Sequence, residues 1–295
     1  MRVPELKLWA TKPADGTEDV REFLIADVFT GNPLEGNQLG IFIDGRGLSA
    51  ALMQRATREM NFSETVFFLP PDDPSAADAH VRIFTPGREL PFAGHPTLGS
   101  AHAWLEAGGP PARQDVIVQE CGAGLIPIRR TADGLAFKAP PVLRDGPVAE
   151  DSLEEIAAVL GIGRADIIDA QWADNGPGWV AVELADAGAV LAVQPGPMSY
   201  KIGIFSRYPA GSPQAFEVRA FFPKDGATVE DPVTGSLNAS LALWLLSSGK
   251  ARAPYVASQG TALGRRGRVH VSADDAGGIW IGGGTHTLIS GSVHL

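Results

Sequence analysis

Two six-residue stretches decide the fold of this chain: HPTLGS at residues 95–100 and DPVTGS at residues 231–236. Both have proline, glycine and serine at the same three positions. The likeness continues upstream, where residues 82–86 and residues 219–223 each run from arginine through phenylalanine to proline. The sequence therefore predicts two related halves, in each of which a strand leads through a loop into a helix.

Small residues characterise the predicted helix of the first half. Pro96 suits the first turn of a helix, and Gly94, Gly99 and Ser100 allow neighbouring backbone to approach closely. Segments with strand composition surround this helix and its counterpart in the second half. The pattern predicts an α+β fold of two pseudo-symmetric lobes, each a curved, mostly antiparallel sheet wrapped around a central helix.

The chain divides into a tail and two lobes. Residues 1–20 show no sustained hydrophobic period, and we expect a flexible N-terminal extension there. The N-terminal lobe is expected at residues 21–125 and the C-terminal lobe at residues 126–285. The final strand, 286–295, is a candidate to return to the first lobe.

Composition excludes several classes of function. Of 295 residues, 44% are hydrophobic and 20% are charged, which is typical of a folded, soluble chain. A net charge of −10 disfavours nucleic acid as a partner, because phosphate backbones are repelled. A single cysteine rules out an internal disulfide, and no signal peptide or membrane-length apolar run is visible. We expect a cytoplasmic protein without a membrane partner.

The residues before the two prolines, His95 and Asp231, are predicted at helix N-caps, where backbone N–H groups lack partners. Asp231 is a favoured cap and could be purely structural, whereas histidine caps poorly, which favours a functional role for His95. Thr234, Gly235 and Ser236 offer N–H groups and hydroxyls that could bind a substrate carboxylate.

Glu64 is the third candidate. It lies between a helix that Ser49 opens and that ends near Asn61, and an apolar strand at residues 66–69, with Phe62 and Phe67 nearby. A carboxylate in such surroundings could exchange protons near neutral pH. The alternative is an exposed turn glutamate without a catalytic role.

Several familiar site motifs are missing from the sequence. We find no phosphate-binding loop, no nucleophile elbow, no zinc-binding helix motif and no dinucleotide fingerprint. The six histidines are scattered, so no metal-ligand spacing is present. The simplest expectation is acid–base chemistry on a small molecule with no metal and no cofactor.

Several longer motifs carry a family resemblance. NFSET at residues 61–65, ELPFAGHPTLG at residues 89–99 and EDPVTGS at residues 230–236 closely resemble the PhzF family of phenazine-biosynthesis-like proteins. The likeness runs from about residue 22 to the C-terminus. Gln38 departs from the usual Gly-Asn-Pro pattern of the family, as does the N-terminal extension.

The resemblance implies a diaminopimelate-epimerase-like fold with the active site in the cleft between the lobes. It further implies a cofactor-free enzyme, usually a homodimer, in which a glutamate shuttles a proton between carbons of trans-2,3-dihydro-3-hydroxyanthranilate. By this likeness Glu64 is the general base and then the acid, and His95 and Asp231 hold substrate polar groups and assist proton transfer. Ser236 and the N–H groups of Gly94 and Gly235 would bind the substrate carboxylate.

Two other functions compete with this interpretation. An amino-acid epimerase or racemase of the same fold would use two facing thiols, and Cys121 lies away from both predicted helix starts. A catalytically silent binding or scaffold protein would be expected to lose the acid–base set, yet Glu64, His95 and Asp231 are all present. The sequence therefore favours an isomerase that moves a proton on a small carboxylate-bearing, cyclic or unsaturated substrate.

Overall fold

A computed structural model describes residues 20–113 and 115–295. The N-terminal extension predicted at residues 1–20 lies outside the described residues except for Val20, which begins the first strand. The described residues form two compact units, one of residues 20–137 with 282–295 and one of residues 138–281.

The first unit is formed by the N-terminal part of the chain and its last strand. In chain order its elements are β1 (Val20–Val28), β2 (Asn37–Phe42), α1 (Ala50–Met60), β3 (Thr65–Leu69), β4 (Ala79–Phe84), β5 (Glu89–Leu90), α2 (Gly94–Glu106), β6 (Val116–Cys121), β7 (Gly124–Thr131), β8 (Gly134–Lys138) and, at the C-terminus, β17 (Thr285–His294).

The second unit is formed by the middle of the chain. Its elements are α3 (Glu150–Leu160), β9 (Asp169–Trp172), β10 (Trp179–Glu183), α4 (Ala187–Ala192), β11 (Lys201–Arg207), β12 (Phe216–Lys224), β13 (Ala227–Asp231), α5 (Gly235–Ser247), β14 (Tyr255–Gln259), β15 (Gly267–Ala273) and β16 (Ile279–Gly283), with short 3₁₀ helices at Arg164–Asp166 and Thr261–Leu263.

The strands of the two units pair in the same order. In the first unit β1–β2, β3–β4 and β6–β7 are antiparallel, whereas β2–β3 and β4–β6 are parallel. In the second unit β9–β10, β11–β12 and β14–β15 are antiparallel, whereas β10–β11 and β12–β14 are parallel. The short strands β5 and β13 pair with β4 and β12 at the same place in this order. The structure confirms the predicted α+β class and the internal repeat.

The boundary between the units differs from the one expected from the sequence. The expected boundary, after residue 125, falls inside β7. Because β7 pairs with β6 on one side and β8 on the other, the first unit continues to Phe137. The last strand, β17, pairs antiparallel with β1.

Each unit packs its sheet against one central helix of 13 residues. In α2, a methyl group on Gly99 would lie 2.5 Å from Leu39 in β2, which shows how closely the helix approaches the sheet. In α5, Leu237 lies close to Gly203 of β11. A methyl group on Gly203 would lie 2.4 Å from the Leu237 side chain. Among the described residues, no helix is long and apolar enough to cross a membrane.

The helix before Glu64 begins and ends as the sequence predicts. Ser49 is the N-cap of α1, and its side chain accepts a hydrogen bond from the Leu52 N–H group. Asn61 is the C-cap, in a left-handed conformation with φ 54°, and its N–H group donates to the Thr57 carbonyl. This turn directs the chain from α1 into β3.

Candidate active site

Glu64 directly precedes β3 in the first unit. Its carbonyl accepts a 3.4 Å hydrogen bond from the N–H group of Gly40 in β2, which fixes the backbone at the start of the strand. The side chain is 18% exposed, which does not fit the alternative of an exposed turn glutamate. A partly buried carboxylate that still reaches solvent can exchange protons.

His95 lies inside the first turn of α2 and is 4% exposed. The prediction that His95 is the N-cap is wrong, because the helix begins at Gly94, two residues earlier than predicted. Ala93 is the N-cap, with extended backbone at φ −153°, and its carbonyl accepts hydrogen bonds from both the N–H group and the hydroxyl of Thr97. The backbone of α2 thus carries the histidine side chain on a rigid, buried turn.

The structure brings Glu64 and His95 together. The His95 Nε2 and Glu64 Oε2 atoms are 3.6 Å apart, within ion-pair range and slightly longer than a hydrogen bond. Catalytic hydrogen bonds are often long without substrate and shorten in the substrate complex. The two side chains form a carboxylate–imidazole pair, which is an arrangement suited to moving a proton.

Asn37, the first residue of β2, contacts the other nitrogen of the His95 ring. Its Nδ2 atom lies 3.5 Å from His95 Nδ1, at the long limit of a hydrogen bond. Because an amide nitrogen only donates, this contact favours the tautomer in which Nδ1 accepts and Nε2 carries the hydrogen. The Nε2–H group therefore faces the Glu64 carboxylate.

The loop between β1 and β2 holds Asn37 in place. The fully buried Asp27 accepts a 3.0 Å hydrogen bond at Oδ2 from the N–H group of Gly36. A methyl group on Gly36 would lie 2.2 Å from the Val28 carbonyl oxygen, so the loop has no room for a larger residue at that position. These contacts fix the backbone immediately before Asn37.

Asp231 belongs to the second unit and is the last residue of β13, where it pairs with Ala220. The prediction that Asp231 is an N-cap is also wrong, because α5 begins at Gly235 and Thr234 is its N-cap. The Thr234 hydroxyl donates a 2.6 Å hydrogen bond to Asp231 Oδ2. The Thr234 N–H group donates to the side chain of Gln259, so Thr234 contacts protein groups through both of its donors.

Ser236 lies in the first turn of α5 and is contacted by two residues from β10 and the loop before it. The Trp179 indole donates a 3.0 Å hydrogen bond to Ser236 Oγ, and Asn175 Nδ2 donates a 2.9 Å hydrogen bond to the Ser236 carbonyl. Since an indole N–H group is only a donor, Ser236 Oγ accepts it and its own hydrogen remains available for a ligand.

Gly94 and Gly235 are the buried first residues of α2 and α5. The first N–H groups of a helix have no partner within the helix, and the helix dipole is positive there. Such positions suit a carboxylate group. The geometry of each helix start is therefore compatible with the carboxylate-binding role expected for these glycines.

The single cysteine lies outside these groups. Cys121 ends β6, its Sγ is 3.6 Å from the Gly124 carbonyl, and burial raises the pKa of its thiol. A buried thiol with a raised pKa is a poor acid–base group near neutral pH. The arrangement gives no support to a two-thiol mechanism.

Four residues with contacts to site residues were not among the predicted site residues: Asn37, Asn175, Trp179 and Gln259. Asn37 falls within the family-like stretch beside Gln38, but neither the hydrophobic pattern nor the spacing indicates what any of these residues contacts. Each acts on a site residue distant in sequence, so only the folded chain reveals its partner.

Comparison with known proteins decides the family. A family model described as "Phenazine biosynthesis-like protein", PhzC-PhzF, matches residues 26–291. This chain belongs to the PhzC-PhzF family. Structural similarity agrees: a PhzF-family phenazine biosynthesis protein from Bacillus anthracis superposes with a TM-score of 0.80 at 24% identity, covering 94% of this chain and 99% of that one. The chain has the diaminopimelate-epimerase-like fold that the sequence predicts.

Curated PhzF-like relatives are similar over most of their length. Trans-2,3-dihydro-3-hydroxyanthranilate isomerase from Pseudomonas aeruginosa is 33% identical over 270 residues, covering 88% of this chain and 92% of the relative. A relative from Schizosaccharomyces pombe, "Antisense-enhancing sequence 1", is 33% identical over 291 residues, covering 90% of this chain and 96% of the relative. The PhzF-like chain is therefore a member of an isomerase family in which one similar relative carries an unrelated name.

Proposed function

We propose that this protein is a cofactor-independent isomerase that moves a proton on a small carboxylate-bearing, cyclic or unsaturated molecule. The reaction would be of the type named for its Pseudomonas relatives, trans-2,3-dihydro-3-hydroxyanthranilate isomerisation. The observation that carries the proposal is the pair of Glu64 and His95, whose Oε2 and Nε2 atoms are 3.6 Å apart.

Glu64 performs the proton transfer in this proposal. Its carboxylate takes a proton from one carbon, and the electron pair of that C–H bond moves through the adjacent double bond. The protonated Glu64 then returns a proton to a second carbon, so that enzyme and substrate regain their starting charges. No hydride or electron enters or leaves, and the reaction needs no cofactor.

His95 and Asp231 support this step. The His95 Nε2–H group donates towards the Glu64 carboxylate and orients it, and Asp231 holds a polar group of the substrate. Ser236, with its hydroxyl hydrogen available, binds the substrate carboxylate together with the N–H groups of Gly94 and Gly235. Thr234 contributes by holding Asp231. We expect the active protein to be a homodimer, as the family resemblance implies.

Turnover by the Glu64→Gln variant tests the proposal. The wild type is incubated with trans-2,3-dihydro-3-hydroxyanthranilate and related cyclic amino acids, and conversion is followed by NMR. Because glutamine cannot take up the proton, we expect kcat to fall on the order of 10²- to 10⁴-fold. Glu59→Gln is the matched control, since Glu59 is exposed on α1 only five positions away.

The outcomes separate the competing functions. Conversion by the wild type and by Glu59→Gln, with loss in Glu64→Gln, supports the isomerase. Equal rates in Glu64→Gln and the wild type would show that another group moves the proton. Binding of these compounds without any conversion by the wild type would favour the binding-protein alternative.

A further inference from the structure

A network of buried polar side chains surrounds the start of α5. Gln259, the last residue of β14, is completely buried, and Asn238 and Thr234 are 2% and 5% exposed. Gln259 Oε1 accepts hydrogen bonds from the Thr234 N–H group at 3.0 Å and from Asn238 Nδ2 at 2.8 Å. Gln259 Nε2 donates to the Asp231 carbonyl at 3.1 Å and to Thr234 Oγ at 2.9 Å. One amide group thus satisfies both of its donors and both of its acceptor positions.

Thr234 and Asp231 fix the orientation of the Gln259 amide group and the directions of the hydrogen bonds between these three residues. The Thr234 N–H group can only donate, so it must meet the oxygen of Gln259, and the Asp231 carbonyl can only accept, so it must meet the nitrogen. Thr234 Oγ accepts from Gln259 Nε2 and gives its own hydrogen to Asp231 Oδ2. A directed chain of hydrogen bonds therefore runs from Gln259 through Thr234 to the Asp231 carboxylate.

The end of β14 is also packed directly against the turn that contains Asp231. Gly260, which follows Gln259, has φ 90°, and a methyl group there would lie 2.8 Å from the Pro232 carbonyl oxygen. The two repeated motifs differ at this point. At the position equivalent to Thr234, Leu98 lies inside α2, whereas the Thr234 N–H group bonds to Gln259 and α5 begins only at Gly235. Asp231 therefore lies outside α5, at the end of β13.

We propose that Gln259 is a positioning residue for the isomerase reaction, which acts through Thr234 on the Asp231 carboxylate. The inference rests on the proposed function, in which Asp231 contacts the substrate. It assigns Gln259 a role in orienting the Asp231 carboxylate. It predicts that replacing Gln259 no longer lowers turnover once that carboxylate has been removed.

A double-mutant cycle tests the proposal. Gln259→Met keeps the length of the side chain and removes all four hydrogen bonds, so the carboxylate is misplaced and kcat is expected to fall on the order of 10²-fold. In an Asp231→Asn background the same substitution is expected to have little further effect, because the group it positions has already been altered. Independent, multiplying effects of the two substitutions would overturn the proposal.

The matched control is Gln119→Met in the first unit. Gln119 is 1% exposed and donates a 3.0 Å hydrogen bond to Ser100 in α2, which is not one of the proposed catalytic groups. It should lower stability without lowering kcat. If Gln259→Met fails to fold, Gln259→Glu replaces it, since the carboxylate keeps the acceptors for Thr234 and Asn238 but has no N–H group.

A crystal structure of the Gln259 variant gives a readout that needs no substrate. The distance between Thr234 Oγ and Asp231 Oδ2, 2.6 Å in the wild type, is expected to exceed about 3.5 Å, the limit of a hydrogen bond. An unmoved carboxylate would contradict the positioning role even if turnover fell. If the wild type is inactive, the proposed function is contradicted. The distance between Thr234 Oγ and Asp231 Oδ2 in the variant still tests whether Gln259 positions Asp231.

Discussion

The imidazole of His95 lies between two polar groups, with Asn37 near its Nδ1 and Glu64 near its Nε2. The hydrogen bond at one ring nitrogen determines which nitrogen carries the hydrogen. Since Asn37 donates to Nδ1, a donor on Nε2 is presented to the Glu64 carboxylate. Asn37 thus acts on the acid–base pair through the His95 ring.

Replacing Asn37 by aspartate is expected to reverse this arrangement. A carboxylate accepts a hydrogen from Nδ1, which favours the other tautomer or the charged imidazolium, and kcat is expected to fall by up to about 100-fold. The ¹⁵N chemical shifts of the His95 ring report the tautomer directly. Asn32→Asp, the same change at an exposed position of the same loop, is the control. Unchanged ring shifts in Asn37→Asp would refute this role of Asn37.

Individual site residues differ in how far the sequence reveals them. Glu64 and His95 stand in motifs whose local context is unusual, a carboxylate among aromatics and a histidine before a proline, and both were predicted. Asn37, Trp179 and Gln259 have ordinary local contexts, and their partners are 58, 57 and 25 residues away. Such contacts depend on tertiary structure, so a local pattern cannot predict them.

At the level of elements, the loop that joins β1 to β2 is tightly packed at one glycine and open at another. We expect Gly36→Ala to lower the free energy of unfolding by about 1–3 kcal/mol, because its methyl group would overlap the Val28 carbonyl. Gly31→Ala is the control, since nothing lies within 4 Å of a methyl group at that position. Urea denaturation of both variants measures the difference, and equal stabilities would show that the loop adjusts.

The contact between α2 and β17 is expected to make stability depend on pH. The Thr287 hydroxyl donates to Glu106 at 2.5 Å and accepts from His102 Nε2 at 3.2 Å. Burial lowers the pKa of His102, and the charge of His286 lowers it further, while Glu106 opposes the shift.

Below the ordinary histidine pKa of about 6.5, the unfolded chain therefore binds a proton that native His102 does not, and stability falls as the pH falls. His102→Gln keeps a donor for Thr287 and does not titrate, so its unfolding free energy should drop less than that of the wild type between about pH 7.5 and about pH 5.5. If urea denaturation shows the same decrease in unfolding free energy for the wild type and for His102→Gln, then His102 does not contribute to the pH dependence.

The helix starts show where prediction from sequence failed at this scale. The residue before each proline was predicted as an N-cap, yet Ala93 and Thr234 hold those positions. Neither cap makes a side-chain hydrogen bond to its helix, so capping preferences carried no information here. In α1, where Ser49 does make that bond, the predicted start is confirmed.

At the level of the whole molecule, the repeat seen in two six-residue stretches corresponds to a repeat of the entire strand order. That relationship was predictable because the repeated motifs retain proline, glycine and serine at positions required for close packing of a central helix. The end of the first unit at Phe137 was not predictable, since it depends on the pairing of β7 with β6 and β8.

Solvent-deuterium incorporation tests the central claim most directly. The wild type and Glu64→Gln are incubated with trans-2,3-dihydro-3-hydroxyanthranilate in heavy water, and label at the substrate and product carbons is measured by NMR, with binding followed by calorimetry. We expect the wild type to introduce deuterium and Glu64→Gln to introduce none while binding with nearly the wild-type affinity. Undiminished label uptake by Glu64→Gln would contradict the assignment of Glu64 as the group that moves the proton.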